Sequence, residues 1–378
     1  MKITQIQNCT GCHACMTACP NEAISMREDK EGFLYPFIFE NKCTRCGICK
    51  NSCPVLHQKE SMKSLFVYAV KNNNLEERLT SSSGGVFSLL AKKIIIDGGI
   101  VFGACFDDDF NVKHIYIQQL KEIKILQGSK YVQSIIGDSY RQVEFFLQTG
   151  KKVLFSGTPC QIAGLKQFLQ KEYETLYTID LICHGVPSPK VWRQYLKEII
   201  KQEDITDIDF RDKRNGWQAY NITAMGKSKE LFSEHYSNNI YMRGFLQNLF
   251  LRPSCHQCPA KQFKSKSDIT LGDFWGIQKF YPDFNDDKGI SLVFTNTQKG
   301  LELFKKLDVA FIEIDYEKAI NANPTIEKSA KTHPKRQLFF QLFEQKQDNI
   351  NQLVKQMLHR SFADKVKGKI KRILKVNL

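Results

Sequence analysis

Residues 9–20 read CTGCHACMTACP, and residues 43–54 read CTRCGICKNSCP. Both stretches have the spacing Cys-x2-Cys-x2-Cys-x3-Cys-Pro, and the second begins 34 positions after the first. Three thiolates on one tight loop reach one side of a metal cluster, so the fourth ligand must arrive from elsewhere in the chain. The repeat therefore predicts a small module of two similar halves, related by a pseudo-two-fold axis, over residues 1–60.

This spacing is that of ferredoxins with two [4Fe–4S] clusters, in which the last cysteine of each run ligates the other cluster. It predicts one cluster on Cys9, Cys12, Cys15 and Cys53 and a second on Cys43, Cys46, Cys49 and Cys19. The alternative is a pair of zinc sites, which also use four cysteines. Zinc sites rarely have three cysteines in this order, so the sequence favours a ferredoxin domain.

Length and composition exclude several classes of protein. The 378 residues are 42% hydrophobic, which supports real cores and excludes wholesale disorder. No apolar run approaches the ~20 residues of a transmembrane helix, and residues 1–5 lack the apolar stretch of a signal peptide. We therefore expect a cytoplasmic protein whose 13 cysteines stay reduced and serve as metal or cluster ligands.

Strand-like and helical segments alternate beyond a polar linker at residues 58–63. Strands are predicted at 65–70, 100–106, 112–118, 152–156, 178–183, 205–211, 222–225 and 269–272, and helices at 86–96, 140–147, 159–169 and 337–357. Such alternation is typical of an α/β sheet. The predicted fold class is α+β or α/β, with a small ferredoxin-like module, an α/β domain and a helical, basic C-terminus.

Five cysteines lie outside the repeat: Cys105, Cys160, Cys183, Cys255 and Cys258. The carboxyl ends of parallel strands converge on one crevice of a sheet. Cys160 and Cys183 would meet there, and the Cys255-x2-Cys258 pair could complete a third [4Fe–4S] site. The alternative is two structural cysteines and half a zinc ribbon, and spacing does not choose between them. Cys105 lies in an apolar strand, where core packing is expected.

Two loops could hold a phosphate group. No Gly-x-Gly-x-x-Gly follows a strand, so a standard dinucleotide site is not predicted. The loop at residues 82–85, Ser-Ser-Gly-Gly, opens a helix, and the loop at residues 157–161, Gly-Thr-Pro-Cys-Gln, joins a strand to a helix. Free N–H groups at a helix start favour an anion. Each loop is also explained by an ordinary N-cap and turn.

The order of these motifs resembles one known family. The series is Ser83-Gly84-Gly85, Lys130-Tyr131-Val132-Gln133-Ser134, Gly157-Thr158-Pro159-Cys160-Gln161, Cys183-His184-Gly185, Phe210-Arg211-Asp212-Lys213, Gly216-Trp217, Cys255-x2-Cys258 and Gly272-Asp273-Phe274-Trp275-Gly276. Over residues 65–300 it resembles the coenzyme F420 hydrogenase/dehydrogenase (beta-subunit) family, many of whose members also have a ferredoxin module. Relatives include input subunits of F420H2 dehydrogenase and reductases of chlorophyll pigments, and similar proteins are encoded in bacterial polysaccharide-synthesis loci.

The resemblance implies non-covalent FAD, and it favours the third cluster on Cys160, Cys183, Cys255 and Cys258. The flavin-binding residues that it implies are Ser83, Gly84, Gly85, Lys130, Tyr131, Gly157, Thr158 and Gln161. Lys130 would contact the phosphates or the ring of the flavin, although an isolated lysine is more often a surface residue. His184 would protonate flavin or substrate, or donate a hydrogen bond to cluster sulfur.

Four other residues of the motif series have two interpretations each. Arg211 and Lys213 would bind an anionic substrate or face solvent at a strand end. Trp217 and Trp275 would wall the flavin pocket or pack in the core. The predicted domains after the ferredoxin module are 64–150 for the N-terminal region of the family, 151–320 for its FAD and iron–sulfur region, and 321–378 for a basic helical tail.

The net charge is +14, and six basic residues lie in residues 365–378 without an acid. Apolar residues recur there at helical spacing. This tail is either an amphipathic helix in peripheral contact with an anionic membrane or a solvated terminus. No recognition module accompanies the basic residues, so we expect no nucleic-acid partner.

Together these features predict an FAD-dependent iron–sulfur oxidoreductase. Electrons would pass between an external one-electron carrier or partner subunit, the [4Fe–4S] clusters and FAD. A hydride would pass between FAD and a small organic substrate, either coenzyme F420 or another reducible metabolite. The alternative is an electron-transfer subunit that relays electrons to a separate catalytic partner.

Overall fold

The computed structural model describes residues 3–199, 205–345 and 349–359. The N-terminal module holds a hairpin of β1 (Ile24–Glu28) and β2 (Leu34–Ile38) and two short helices, α1 (Ala14–Thr17) and α2 (Ile48–Asn51). The residue before each helix is left-handed: His13 has φ 66° and Gly47 has φ 82°. These two residues are equivalent in the repeat, so both halves of the module turn into their helices in the same way.

The rest of the chain is a mixed α/β structure. Its strands are β3 (Phe66–Asn72), β4 (Ile100–Phe106), β5 (Val112–Ile117), β6 (Val153–Gly157), β7 (Leu176–Leu181), β8 (Ile205–Asp212), β9 (Asn221–Gly226), β10 (Glu230–His235), β11 (Ile269–Asp273), β12 (Ser291–Thr295) and β13 (Val309–Glu313). Its helices are α3 (Leu75–Leu79), α4 (Val86–Ile96), α5 (Ile123–Leu126), α6 (Ser139–Gln148), α7 (Pro159–Leu169), α8 (Pro189–Ile199), α9 (Ile240–Leu246), α10 (Ile277–Phe280), α11 (Gln298–Phe304), α12 (Tyr316–Ala322), α13 (Arg336–Gln345) and α14 (Ile350–Leu358).

Eight strands form one large mixed sheet in the order β13-β3-β12-β11-β7-β6-β4-β5. The four neighbours β11, β7, β6 and β4 are parallel, and the flanking pairs are antiparallel. Every residue of β6 and β12 is buried, as expected for strands covered on both faces. Helices α4 and α11 pack on one side, and α6 and α7 pack on the other. The predicted alternation of strands and helices thus produces a mixed α/β sheet.

The two predicted domains at 64–150 and 151–320 both contribute strands to this sheet. Strand β12 lies between β3 and β11, and β6 lies between β4 and β7. A second layer consists of the three-stranded sheet β10-β9-β8 and the helices α8, α9, α13 and α14, which share one apolar core. The proposed division into domains therefore remains a prediction, because the strands of the two regions are interleaved.

The N-terminal module is packed tightly against the α/β region through its hairpin. Glu31 in the turn forms an ion pair with Arg336 of α13, and both carboxylate oxygens of Glu28 accept hydrogen bonds from Arg193 of α8 at 2.7 Å. Gly32 lies so close to Lys190 that a Cβ atom would come within 2.3 Å of the lysine Cβ. The module is thereby fixed in one orientation.

The basic stretch at residues 365–378 lies outside the described residues, so peripheral membrane contact through it stays a prediction. No described helix has both the length and the hydropathy that crossing a membrane requires.

Candidate functional site

The candidate site lies where the parallel strands of the large sheet end, which we call the carboxyl edge. Strands β6, β7 and β11 end there at Gly157, Leu181 and Asp273. Strand β3 runs in the same direction as β11, because both are antiparallel to β12. The loops that follow these four strands therefore meet at one edge, which is where open α/β sheets bind ligands.

A cavity of about 770 Å³ opens at the carboxyl edge. It is large enough for a cofactor, since ligand pockets commonly measure about 300–1,000 Å³. Most of the predicted flavin-binding residues line it: Ser83, Gly85, Lys130, Tyr131, Gly157, Thr158 and Gln161. Gly84 is packed beneath the loop instead, where a Cβ atom would come within 2.3 Å of the Val70 carbonyl oxygen.

The loop after β6 forms a capped helix start at the cavity wall. Thr158 and Gln161 form a capping box, in which the Thr158 N–H donates to Gln161 Oε1 at 2.9 Å. The side-chain nitrogen of Gln161 donates to Ser134 Oγ at 2.8 Å. Helix α7 is 11 residues long and begins with Pro159, so the positive end of its dipole points toward the cavity.

Lys130 is half-buried in the cavity wall. Its Nζ donates to the carbonyl oxygens of Gln127 at 2.7 Å and Gly128 at 3.1 Å. Burial lowers the pKa of Lys130 to about 8. An anionic group in the cavity would restore the charge of this ammonium, so Lys130 suits a phosphate or an anionic ring edge.

His184 lines the cavity and lies 2.6 Å from Asn248 Oδ1 through its Nε2 atom. The amide nitrogen of Asn248 donates to the Lys331 carbonyl oxygen, so the amide oxygen accepts from the histidine ring. Burial lowers the pKa of His184. Both roles predicted for this residue, proton donor and partner of cluster sulfur, stay predictions.

The Cys160 set (Cys160, Cys183, Cys255 and Cys258) converges from three loops at the carboxyl edge. Burial raises the pKa of Cys160 well above its usual value, and the thiols of Cys258, Cys183 and Cys255 raise it further. Burial also raises the pKa of Cys183 to about 11 and that of Cys255 to about 12. Thiols that cannot ionise alone suit a cationic iron–sulfur core, because metal binding displaces their protons.

The structure brings the cysteines of the N-terminal module together in two groups, and their role as cluster ligands stays a prediction. We call Cys9, Cys12, Cys15 and Cys53 the Cys9 set, and Cys43, Cys46, Cys49 and Cys19 the Cys43 set. Burial, with added repulsion from Cys9 and Cys53, raises the pKa of Cys12 to about 12. The pKa of Cys49 is raised by burial and by Cys19, Cys46 and Cys43. Each fourth cysteine thus lies with the three of the other run.

No group of three or more histidine, cysteine, aspartate or glutamate side chains in the described part of the chain is arranged to hold one metal ion. A cubane binds each thiolate at a different iron, so its four ligands are spaced more widely than around one ion.

Arg211 is buried and Lys213 is half-buried, so neither is a freely exposed charge at a strand end. Arg211 is an ion-pair partner of Asp273, with Nη1 2.7 Å from Oδ2, and its guanidinium lies over the rings of Tyr220 and Trp275. Lys213 Nζ donates to three backbone carbonyl oxygens, including that of Ser83 at 2.7 Å. Both cations therefore hold the loops of the site, and neither lines the cavity.

The two tryptophans stack face to face, with ring centroids 5.0 Å apart. Trp275 lines the cavity, whereas Trp217 is fully buried behind it and donates its indole N–H to Asp273 at 3.0 Å. Trp275 therefore has the position of a pocket wall, and Trp217 has that of a core residue.

Sequence reasoning missed His114 of β5. This residue lines the cavity, stacks on Phe155 and lies 3.0 Å from the Ser156 carbonyl oxygen through Nε2. Its Nδ1 atom is buried without a hydrogen-bond partner among the described residues, and burial lowers its pKa to about 4. A lone histidine in a strand gives no signal of this placement.

A second cavity, of about 650 Å³, opens as a groove between the N-terminal module and the α/β region. Its lining includes Cys160 of the Cys160 set and Thr10 beside Cys9. One glutamate, Glu172, and five lysines also line the groove: Lys59, Lys166, Lys171, Lys264 and Lys266. The groove is therefore basic and lies beside two cysteine sets.

The fold and the cysteine sets define the class of the protein: an iron–sulfur protein whose dicluster module is joined to a mixed α/β region. Residues 8–56 match the 4Fe-4S dicluster domain. Residues 150–318 match the family described as the C terminus of the coenzyme F420 hydrogenase/dehydrogenase beta subunit. The resemblance drawn from the motifs is thereby confirmed over residues 150–318, and the dicluster module before it is confirmed over residues 8–56.

Two curated relatives are similar to parts of the chain. The coenzyme F420-dependent sulfite reductase of Methanocaldococcus jannaschii is 26% identical over 186 residues, which cover 47% of this chain and 28% of that protein. The F subunit of the F(420)H(2) dehydrogenase of Methanosarcina mazei is 21% identical over 225 residues, which cover 55% of this chain and 63% of that protein. The matched region thus spans less than two thirds of each relative.

One solved structure is the xenon-derivatised F420-reducing [NiFe] hydrogenase complex from Methanosarcina barkeri. One of its chains aligns with 77% of this chain and 91% of its own length, at 16% identity and a TM-score of 0.46.

Proposed function

We propose that the protein is an iron–sulfur flavoprotein oxidoreductase, with FAD in the cavity at the carboxyl edge and a third [4Fe–4S] cluster on the Cys160 set. The observation that carries this proposal is that Cys183 belongs to the Cys160 set and also lines the cavity. A one-electron centre and a two-electron cofactor would therefore be neighbours. Bound FAD would exchange single electrons with clusters and a hydride with an organic substrate.

The residues of the cavity have separate roles in this proposal. The start of α7 and the loop at residues 81–85 would hold the phosphates of FAD through backbone N–H groups. The ammonium of Lys130 would pair with a phosphate or with the anionic edge of the flavin ring. Trp275 and Tyr131 would wall the site with aromatic rings.

The organic substrate in this proposal is coenzyme F420 or another reducible metabolite. Two relatives are named for F420, which supports the first of these. The resemblance to proteins of polysaccharide-synthesis loci supports the second, and the fold is compatible with either because substrate choice lies in loops around the cavity. Consumption of reduced F420 by the purified protein with an artificial acceptor would separate the two.

The proposed redox partner is an external one-electron carrier or a partner subunit with an acidic surface. The five lysines of the groove support this partner, because complementary charge steers association. The groove also lies beside the Cys9 set and the Cys160 set, so a partner seated there would be close to both.

Anaerobic purification followed by iron, sulfide and flavin quantification tests the proposal. We expect about twelve iron and twelve sulfide with one FAD per chain. About eight iron with FAD would remove the third cluster and leave the Cys160 set structural. Colourless protein with zinc would overturn the proposal altogether.

The second candidate is an electron-transfer subunit that holds clusters but no flavin. The relative from Methanosarcina mazei is named as a subunit of a dehydrogenase, which favours this candidate. Iron without flavin, together with no consumption of reduced F420, would support it. Flavin-dependent oxidation of a substrate by the isolated chain would exclude it.

A further inference from the structure

Arg252 is a fully buried arginine between the N-terminal module and the α/β region. Its Nε donates to the Cys9 carbonyl oxygen at 2.9 Å, Nη2 donates to the Leu34 carbonyl oxygen at 2.9 Å, and Nη1 donates to Gln133 Oε1 at 3.1 Å. The guanidinium also lies over the ring of Tyr35, 4.2 Å from its centroid. These acceptors are all uncharged.

The other buried arginines of the described residues have a carboxylate partner. Arg78 pairs with Asp286, Arg211 pairs with Asp273, and Arg336 pairs with Glu31. Arg252 forms no ion pair with a carboxylate in the described part of the chain. A guanidinium stays protonated inside a protein, and a buried charge without a counter-charge is costly. Arg252 therefore needs an anion that the protein side chains around it do not supply.

The Cys9 set lies beside the guanidinium and would supply a negative charge once it binds a cluster. Arg252 Nη2 lies 4.0 Å from Cys9 Sγ. Gly11, with φ +65°, leaves room for the guanidinium, because a Cβ atom there would come within 2.8 Å of Nη1. A cubane bound by four thiolates is negatively charged, and it gains a further negative charge on reduction. Such a cluster would place a negative charge beside the guanidinium of Arg252.

The backbone of Arg252 connects this site to the second cysteine region. Its N–H donates to the Val186 carbonyl oxygen at 2.9 Å, and its carbonyl oxygen accepts from the Cys255 N–H at 2.9 Å. The Val186 N–H in turn lies 3.4 Å from Cys255 Sγ. One residue therefore contacts the loops of both the Cys9 set and the Cys160 set.

We propose that Arg252 is the charge partner of the cluster on the Cys9 set, that it raises the reduction potential of this cluster, and that it positions the cluster against the Cys160 set. The inference rests on the proposed clusters. A fixed cation favours the more negative, reduced state of a neighbouring centre, so its removal makes reduction harder. The Cys43 set has no such buried arginine among the described residues that contact it, so its potential does not depend on this charge.

The test is an anaerobic redox titration of the intact protein, followed by electron paramagnetic resonance, for wild type, Arg252→Gln and Arg252→Lys. Arg252→Gln removes the charge, and we expect about a tenfold shift of one cluster's one-electron equilibrium toward the oxidised state, which is about 59 mV more negative. Arg252→Lys keeps the charge and stays near wild type. Arg193→Gln, which removes a charge from the exposed pair with Glu28, is the matched control and leaves all potentials unchanged.

Each result has one meaning. Equal shifts in Arg252→Gln and Arg252→Lys, or no shift in either, would overturn the role of the charge. If Arg252→Gln loses iron, the iron content of Arg252→Lys decides: retention of the cluster supports the proposal, and equal loss overturns it. Wild-type protein without iron and sulfide would instead overturn the proposed function, so the two failures are distinguishable.

Discussion

The N-terminal module and the Cys160 set both bring cysteines together, but different parts of the structure hold those cysteines in place. The module gathers eight cysteines within residues 9–53, but its buried apolar core is Ile3, Ile6, Cys15, Ile24 and Cys53. Two of these five core residues are themselves cysteines. The Cys160 set, in contrast, is carried by loops of an eight-stranded sheet with large apolar cores on both faces.

The two regions therefore differ in whether the cluster stabilises the protein fold or the protein fold positions the cluster ligands. A small module with little core depends on its metal for stability, because the binding free energy of the metal is folding free energy. A large sheet holds its loops in place whether or not the cysteines bind a cluster. We therefore expect bound clusters to stabilise the fold of the module. The sheet, in contrast, should hold the Cys160 set in place even without a cluster.

The largest effect is expected from Cys12→Ser. This change removes a ligand of the Cys9 set, so about four of about twelve irons should be lost, and the module should lose its fold. Iron quantification and limited proteolysis of residues 1–60 measure both. Cys105→Ser, a buried cysteine of β4 outside the sets, is the control that keeps all iron. A protease-resistant module that has lost four irons would contradict the idea that the module depends on its clusters for stability.

Cys258→Ser should also cost about four irons, but without loss of the fold. The sheet beneath the Cys160 set has its own cores, so thermal unfolding followed by circular dichroism should stay cooperative with a similar midpoint. Full retention of iron would exclude the third cluster. Collapse of the sheet on loss of that iron would contradict the idea that the fold supports these cysteines.

Lys130 extends the comparison to the cavity at the carboxyl edge, where FAD is proposed to bind, because the contribution of this residue depends on pH. In flavin-free protein its pKa is about 8, so the ammonium is charged below pH 8 and loses its charge above that value. Binding of an anionic phosphate favours the charged form, so FAD affinity should fall about tenfold between pH 7.5 and 9.5. Fluorescence titration of FAD into flavin-free protein measures this.

The control variants for Lys130 differ in their charge. Lys130→Arg stays charged over this range and should bind FAD with little dependence on pH. Lys130→Met should bind weakly at every pH. An unchanged pH profile in Lys130→Met would show that another group titrates and that Lys130 does not face the cofactor.

The smallest effect is expected from Glu28→Gln at the surface of the module. The pair with Arg193 is about one-third exposed on each side, and exposed ion pairs contribute about 0–1 kcal/mol. The unfolding midpoint should therefore barely change, and iron content should stay the same. A large loss of stability would mean that the module is held to the sheet by this pair rather than by its buried contacts.

The dicluster module predicted from the sequence is confirmed over residues 8–56, because its cysteines are local and their spacing is diagnostic. The assignment of each cysteine to a cluster stays a prediction. Strands β10, β12 and β13 were missed. Strand β12 is fully buried, but its three apolar residues, Leu292, Val293 and Phe294, are too few to show a period that distinguishes strand from helix. The predicted helix at 337–357 corresponds to the helices α13 and α14. Length and boundaries of elements are set by tertiary packing as much as by local pattern.

The partners of buried charges could not be predicted from the sequence. Arg211 was expected to bind substrate or face solvent, yet Asp273, which is 62 positions away, neutralises it. Arg252 gave no signal at all, because its guanidinium contacts backbone oxygen atoms 218 and 243 positions away and the side chain of Gln133, 119 positions away. Such pairings depend on which loops the sheet brings to one edge, and single positions in a sequence do not encode that information.

The hairpin turn at Glu31 and Gly32 has a consequence for how this protein could evolve or be engineered. Because the turn contacts Arg336 and Lys190, the module has a fixed orientation and does not move freely on the polar stretch before β3. A foreign ferredoxin domain fused at residue 65 would lack these contacts and would have no fixed orientation relative to the α/β region. Exchange of modules between relatives should therefore succeed only when the receiving surface travels with the donor.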